Sequence, residues 1–234
     1  MPSRSLGMAL VVLKMRYKQS VLSLVLVITT MVASVFVSSC GQKQGHELVK
    51  EQEMVVPQDG DIVFHESSSR QSPIIKLAQN SKWTHCGIVF HIGDKAYVYE
   101  AVEPVKYTPL TDWIARGKGG VYCAKRLDNP LPAQTIEKMK AVGAKYKGKH
   151  YDTLFQWSDN KIYCSELIWK IYSQGADIEL CPPEKFSDFP ISNPIVKKLI
   201  KERYGNKFDP SEQLVSPNAL YKSKLLKEVR YSEL

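Results

Sequence analysis

Apolar positions along this chain come in short groups whose spacing changes from segment to segment. The triplet at 62–64 (Ile-Val-Phe) follows the turn pair Gly60-Asp61 and predicts a short strand. Ser72-Pro73 supplies a cap and a first-turn proline for a helix carrying Ile74, Ile75, Leu77 and Ala78. The run 83–90 (WTHCGIVF) reads as a strand, Gly93-Asp94 as a turn, and 96–102 as the returning strand of a hairpin. One helical turn is expected at 111–114, ended by the glycines at 117, 119 and 120. Residues 121–127 alternate as a strand does, with Tyr122 and Ala124 on one face and Val121, Cys123 and Lys125 on the other.

The spacing then changes to that of helices. Ile136, Met139, Val142 and Ala144 share one face of a predicted helix over 133–146. A turn at 157–160 and a short approach at 161–163 lead into a helix over 164–173, which Gly175 is expected to close. A long irregular connection follows Cys181-Pro182-Pro183. Residues 194–204 form another helix, and Ser216-Pro217 starts the last one, with a hydrophobic finish at Leu225, Leu226 and Val229. The class is α+β, a small antiparallel sheet packed against helices, with no internal repeat and no second-domain boundary.

Residues 21–37 stand apart, being apolar apart from small hydroxyl residues, uncharged, and preceded by Lys14, Arg16 and Lys18. That is the layout of an export signal. The run ends in Val37-Ser38-Ser39-Cys40, which resembles a bacterial lipobox, in which the cysteine is lipidated. The expected organisation is a signal peptide over 1–39, a polar tether over 40–57 and a single domain over 58–234. Cys40 would anchor the exported domain to a membrane of the cell envelope. The alternative is an uncleaved anchor, because this apolar run is at the short end of the ~17–25 residues that span a bilayer. Both readings export the domain.

Composition adds little beyond a packed soluble fold: 44% of the 234 residues are hydrophobic and 24% charged, near the globular average. The formal charge of +8 suggests nucleic acid until its position is considered. Four cations precede residue 40 and no acidic residue does, so the rest carries 28 basic against 24 acidic side chains. The remaining lysines and arginines are scattered, and no nucleic-acid partner is expected. Cys86, Cys123, Cys164 and Cys181 show neither a CxxC pair nor zinc-site spacing, and neither metal nor cofactor is expected. In an oxidising compartment these cysteines could pair, but a nucleophilic Cys164 would leave at most one bridge among the others.

Cys164 falls where a helix begins, in Tyr-Cys-Ser-Glu-Leu-Ile-Trp. Unpaired backbone N–H groups and the positive end of the helix dipole favour a thiolate there, and the same N–H groups can bind an oxyanion. Taken alone, Cys164 reads equally as a small buried residue and His85 as a satisfied core histidine. The hairpin links His85 to a carboxylate. With the turn near Gly93, facing residues have numbers that sum to about 187, so His85 lies opposite position 102 and within diagonal reach of Glu100. Glu103 is the rival, but Pro104 ends the strand there. Cys86, on the alternate face, is expected to point away from the site.

The runs GDIVF, WTHCGIVF, VYEAV, YDTLFQW, IYCSELIW and VSPNALYKSKLL together resemble the YiiX-like branch of permuted papain-fold hydrolases in the NlpC superfamily. The resemblance covers about residues 58–229. It implies a papain-like core with the histidine ahead of the cysteine in the chain, Cys164 as nucleophile, His85 as base and Glu100 as the third member. Tyr163 and Glu166 are candidate pocket residues beside the nucleophile. Trp83, His150, Trp157 and Trp169 could also line a pocket; all six are more simply read as packing or surface, and Glu166, two residues into the helix, as stabilising its N-terminus.

Three functions fit the sequence. The first is an amidase or peptidase acting on a cell-wall or small envelope peptide. The second is a thioesterase or lipid acyltransferase, which predicts an apolar groove beside Cys164. The third is a non-catalytic lipoprotein that binds a peptide or lipid.

Overall fold

The turns set the registers, and the alternation of the strands sets which side of the sheet each helix covers. The computed structural model describes residues 54–232. In chain order these form β1 (Met54–Val55), β2 (Ile62–His65), α1 (Ser72–Gln79), β3 (His85–Ile92), β4 (Lys95–Glu100), β5 (Lys106–Pro109) and α2 (Leu110–Arg116). There follow β6 (Tyr122–Leu127), α3 (Ala133–Ala144), α4 (Cys164–Ala176), β7 (Glu184–Lys185), α5 (Pro194–Tyr204), β8 (Gln213–Leu214), α6 (Pro217–Tyr221) and β9 (Leu226–Tyr231). The main sheet runs β1-β9-β6-β2-β3-β4-β5, while β7 and β8 pair separately. All neighbours are antiparallel except β1 and β9.

Strand β2 is buried along its whole length, which explains its unbroken apolar run rather than an alternating one. Ile62, Phe64, Cys86, Ile88, Phe90 and Tyr99 pack toward α3 and α4, against Met139, Leu167, Ile168 and Ile171. Val63, Val89, Val98 and Ala124 lie on the opposite face, with Leu110, Trp113 and Ile114 of α2. Helices α3 and α4 cross closely at Gly175, where an added Cβ would stand 2.6 Å from the Met139 Cα.

In the central hairpin Ile88 faces Tyr99 and Ile92 faces Lys95, the register expected from the turn. Other elements depart from expectation. Gly175 does not close α4: the helix passes through it because its bare backbone admits Met139, and stops at Asp177 in the left-handed conformation (φ 57°). The last segment splits into α6 and strand β9, whose Val229 and Tyr231 join the core on the α2 side. Strand β5 was not foreseen, because Pro104 and Pro109 hide its short alternation. The sheet also takes in Met54–Val55, ahead of residue 58, through the parallel pairing with β9. Residues 1–53, including Cys40 and the expected signal peptide, lie outside the described residues. Among the described residues no helix is long and apolar enough to cross a membrane.

Candidate active site

Helix α4 starts at Cys164 because Tyr163 before it is extended (φ −104°, ψ 167°) and its N–H is taken by the Glu166 carboxylate at 3.4 Å. Cys164 therefore occupies the first helical position, where backbone N–H groups lack intrahelical partners. Its side chain is almost wholly buried, at 2% exposure. The Tyr151 hydroxyl donates to its sulfur at 3.9 Å.

His85 reaches the site from the first position of β3. Its Nε2 stands 2.6 Å from Glu100 Oε2 across the β3–β4 pair, as the diagonal register allows. With Nε2 engaged, Nδ1 is the ring nitrogen left to serve Cys164, the neighbour whose ionisation is linked to that of His85. Cysteine, histidine and glutamate thus form a chain in which the histidine is the middle member.

Glu100 is fully buried and saturated with donors. Its Oε1 accepts from the Thr108 hydroxyl at 2.7 Å, and its Oε2 accepts from the Trp113 indole at 2.9 Å and from the Arg116 guanidinium as well as facing His85. Four groups from β3, β5 and α2 therefore fix one carboxylate. Behind them, His65 of β2 lies opposite His85 in register and stacks on Trp113.

The charges follow from these contacts. Burial alone would push the Glu100 carboxyl up, but hydrogen bonding and charge from His85, then Arg116, hold it at about 2. Burial opposes a charged His85, yet its hydrogen bonds to Cys164 and Glu100 raise it to about 9. Cys164 is held well below the ordinary thiol value, first by hydrogen bonding from the Cys86 thiol, then, against burial, by His85. Both shifts favour a thiolate–imidazolium pair in the resting site. His65 is pushed down to about 3 by burial, by the charge on His85 and by Arg116, and stays neutral.

Two cavities flank the pair. A cleft of about 510 Å³ is lined by polar residues such as His65, Ser67, Gln71, His85, Arg116 and Tyr151, with Ile75, Ala101 and Val102 adding apolar wall. On the other side, Cys164 and Tyr163 border an apolar cavity of about 110 Å³ walled by Phe155, Val196, Leu199, Ile200, Leu214 and Val215.

The structure brings Cys164, His85 and Glu100 together and places Tyr163 on the apolar cavity, where its hydroxyl also accepts the Val215 N–H at 3.1 Å. Glu166 lines neither cavity. It is turned into the core and paired with Lys170 at 2.8 Å, and burial raises its carboxyl to about 7 despite that partner. Glu103, the rival carboxylate, is 60% exposed and paired with His150. Trp83 packs on Tyr221, and Trp157 on Trp169. The expectation that Cys86 points away from the site is corrected. It does leave the His85 face, but the face it enters is the one α4 covers, so its thiol meets Cys164.

Sequence reasoning missed Tyr151, Thr108, Trp113, Arg116 and His65. Only Tyr151 sits in a run that marked itself, YDTLFQW. His65 directly extends GDIVF, but a lone histidine ending an apolar strand carries no signal of its role.

Comparisons with known proteins agree with this geometry. Residues 56–230 match the family described as permuted papain-like amidase enzyme, YaeF/YiiX, C92 family. The protein YiiX of Escherichia coli strain K12, described as uncharacterized, is 41% identical over 165 residues, covering 70% of this chain and 82% of the relative. A crystal structure titled metalloprotein yiiX, from Escherichia coli O157:H7, superposes with a TM-score of 0.73 at 40% identity, covering 77% of this chain and 100% of that one.

Proposed function

The chain belongs to the permuted papain-like amidases, cysteine-nucleophile hydrolases by family, and from that premise we propose that it cleaves an amide with Cys164 as nucleophile, His85 as general acid and base, and Glu100 orienting His85. The observation that supports this most is His85 held between the Cys164 sulfur and a buried, donor-saturated Glu100. The thiolate attacks the carbonyl carbon, and imidazolium Nδ1–H protonates the leaving amine. His85, now neutral, takes a proton from water as it attacks the thioester, and Cys164 leaves again as thiolate. We assign the developing oxyanion to the Cys164 backbone N–H, at the first helical position, and to the Tyr151 hydroxyl, which already points at the sulfur. Screening wild type beside Cys164→Ala against envelope peptides and acyl amides tests the reading: turnover and an acyl adduct on Cys164 are expected, and turnover surviving in Cys164→Ala contradicts it.

A second reading draws on the apolar cavity beside Cys164. Such a wall suits the acyl half of a substrate better than a charged peptide, so thioesterase or lipid acyl transfer stays in view beside peptide amide hydrolysis. A series of acyl amides and thioesters of increasing chain length separates the two. Rates that rise with apolar chain length favour the acyl reading, and rates indifferent to it favour the peptide.

The structural relative is titled a metalloprotein. Among the described residues of this chain, no three His, Cys, Asp or Glu side chains gather as a metal site, and no step is routed through a metal. We further propose that the domain works in the cell envelope, anchored through Cys40, on the strength of the signal-like sequence at 1–40. Fractionating cells that express Cys40→Ala tests this, with loss of the membrane-bound pool expected and unchanged partition contradicting it.

A further inference from the structure

We propose that Cys86 is a resolving thiol, able to close a reversible disulfide with Cys164 after a hydroperoxide has oxidised the nucleophile. The inference rests on the reading of Cys164 as the reactive thiolate. Strand alternation sends Cys86 to the same face as Ile88 and Phe90, and that face carries Leu167, Ile168 and Ile171 of α4. Cys164, the first residue of α4, shares that buried cluster with Cys86, and each sulfur perturbs the ionisation of the other. Both are unbridged in the structure. Cys86 is fully buried, whereas Cys164 borders a cavity, so a small oxidant meets Cys164 first. Cys123, by comparison, donates to the carbonyl of its own neighbour at 3.8 Å.

The chemistry closes with a hydroperoxide as the oxidant. The Cys164 thiolate attacks one peroxide oxygen, the O–O bond breaks, and the leaving hydroxide takes the proton of His85 to give water and a neutral sulfenic acid. The Cys86 sulfur then attacks the Cys164 sulfur. The S–O bond breaks, the S–S bond forms, and the displaced hydroxide leaves as water with the Cys86 proton. Burial and the neighbouring thiolate both hold the Cys86 proton in place in the resting site. Oxidation removes that negative charge and with it one of the two obstacles to attack. Without Cys86, the sulfenic acid would go on to sulfinic acid, which thiol reductants do not reverse.

The test treats the folded protein and Cys86→Val, checked for a native-like melting curve, with hydrogen peroxide, then with dithiothreitol. Iodoacetamide labelling of Cys164 and a non-reducing peptide map are read by mass spectrometry. In wild type we expect a Cys86–Cys164 linked peptide and at least tenfold recovery of labelling after reduction. In Cys86→Val we expect sulfinic acid at Cys164 and no recovery. Cys86→Ser serves if the valine variant misfolds. Wild type that reaches sulfinic acid without the linked peptide overturns the proposal, as does equal recovery in the variant. If untreated wild type takes no iodoacetamide at Cys164, the triad reading itself is what fails, and this proposal falls with it.

Discussion

His65 stacks on Trp113 with ring centroids 3.9 Å apart and planes 14° apart, and its ring centroid is 5.2 Å from that of His85. A neutral imidazole in that place fills the space behind the charged one without adding a second cation. Its room is set by Gly117, where an added Cβ would stand 2.8 Å from His65 Nδ1 and 2.9 Å from its Cβ. The backbone of Gly117 (φ −65°) admits alanine, so the cost of Gly117→Ala falls on His65 alone. Overpacking of this kind costs about 1–3 kcal/mol. A lowered melting temperature with a reduced turnover rate is expected, and calorimetry beside steady-state kinetics checks both.

Glu100→Gln keeps the shape of the side chain but removes the charge that three donors and His85 share. Turnover should fall by a substantial part of the ~10²–10⁴-fold that positioned acid–base catalysis supplies. Glu103→Gln, on an exposed residue, should change turnover less than twofold. Kinetics of the two variants side by side decide which carboxylate serves His85, and a silent Glu100→Gln would show that other groups orient the ring.

The fold and the linear part of the site were legible in the sequence; the supporting shell was not. The hairpin register followed from one turn, and it put Glu100 diagonal to His85 with no information about neighbours. The helix start at Cys164 was equally local. Thr108, Trp113 and Arg116 converge on Glu100 only because β5 pairs with β4 and α2 then folds back on the sheet, a long-range event that residue spacing does not encode. Cys86 shows the limit most clearly. Alternation correctly separated it from His85, but which face α4 would cover could not be read along the chain. Glu166 faces the core, where it accepts the Tyr163 N–H and pairs with Lys170 one turn on, local contacts that its position two residues into the helix already allows.

The ionisations give a pH signature. His85 rises from 6.5 to about 9 on folding, so its contribution to stability is complete below pH 6.5 and is lost as pH climbs through about 9. Glu100 falls from 4.5 to about 2, so its contribution is present above pH 4.5 and is lost as pH drops toward about 2. Melting temperatures of wild type and His85→Gln should therefore diverge most below about pH 6.5 and converge above about pH 9. The basic limb of kcat/KM should lie near 9. Melting curves collected across this range, with initial rates, check both.

Tyr151→Phe removes only the hydroxyl that points at the Cys164 sulfur. If that hydroxyl also meets the oxyanion, kcat should fall by up to about 10²–10³-fold, the usual cost of one such donor. Labelling of Cys164 by a small alkylating agent should fall far less, because alkylation develops no oxyanion. Equal losses in both would assign Tyr151 to the thiolate alone.

The most direct test of the thiolate–imidazolium pair is the pH dependence of iodoacetamide labelling, with the modified residue located by mass spectrometry. Cys164 should be labelled first, at a rate nearly flat from neutral pH up to about 9. In His85→Ala the rate should become that of an ordinary thiol, rising tenfold per pH unit below its pKa. Labelling that begins at Cys123 or Cys181, or a wild-type Cys164 rate that climbs steadily from pH 6 to 9, would contradict the account.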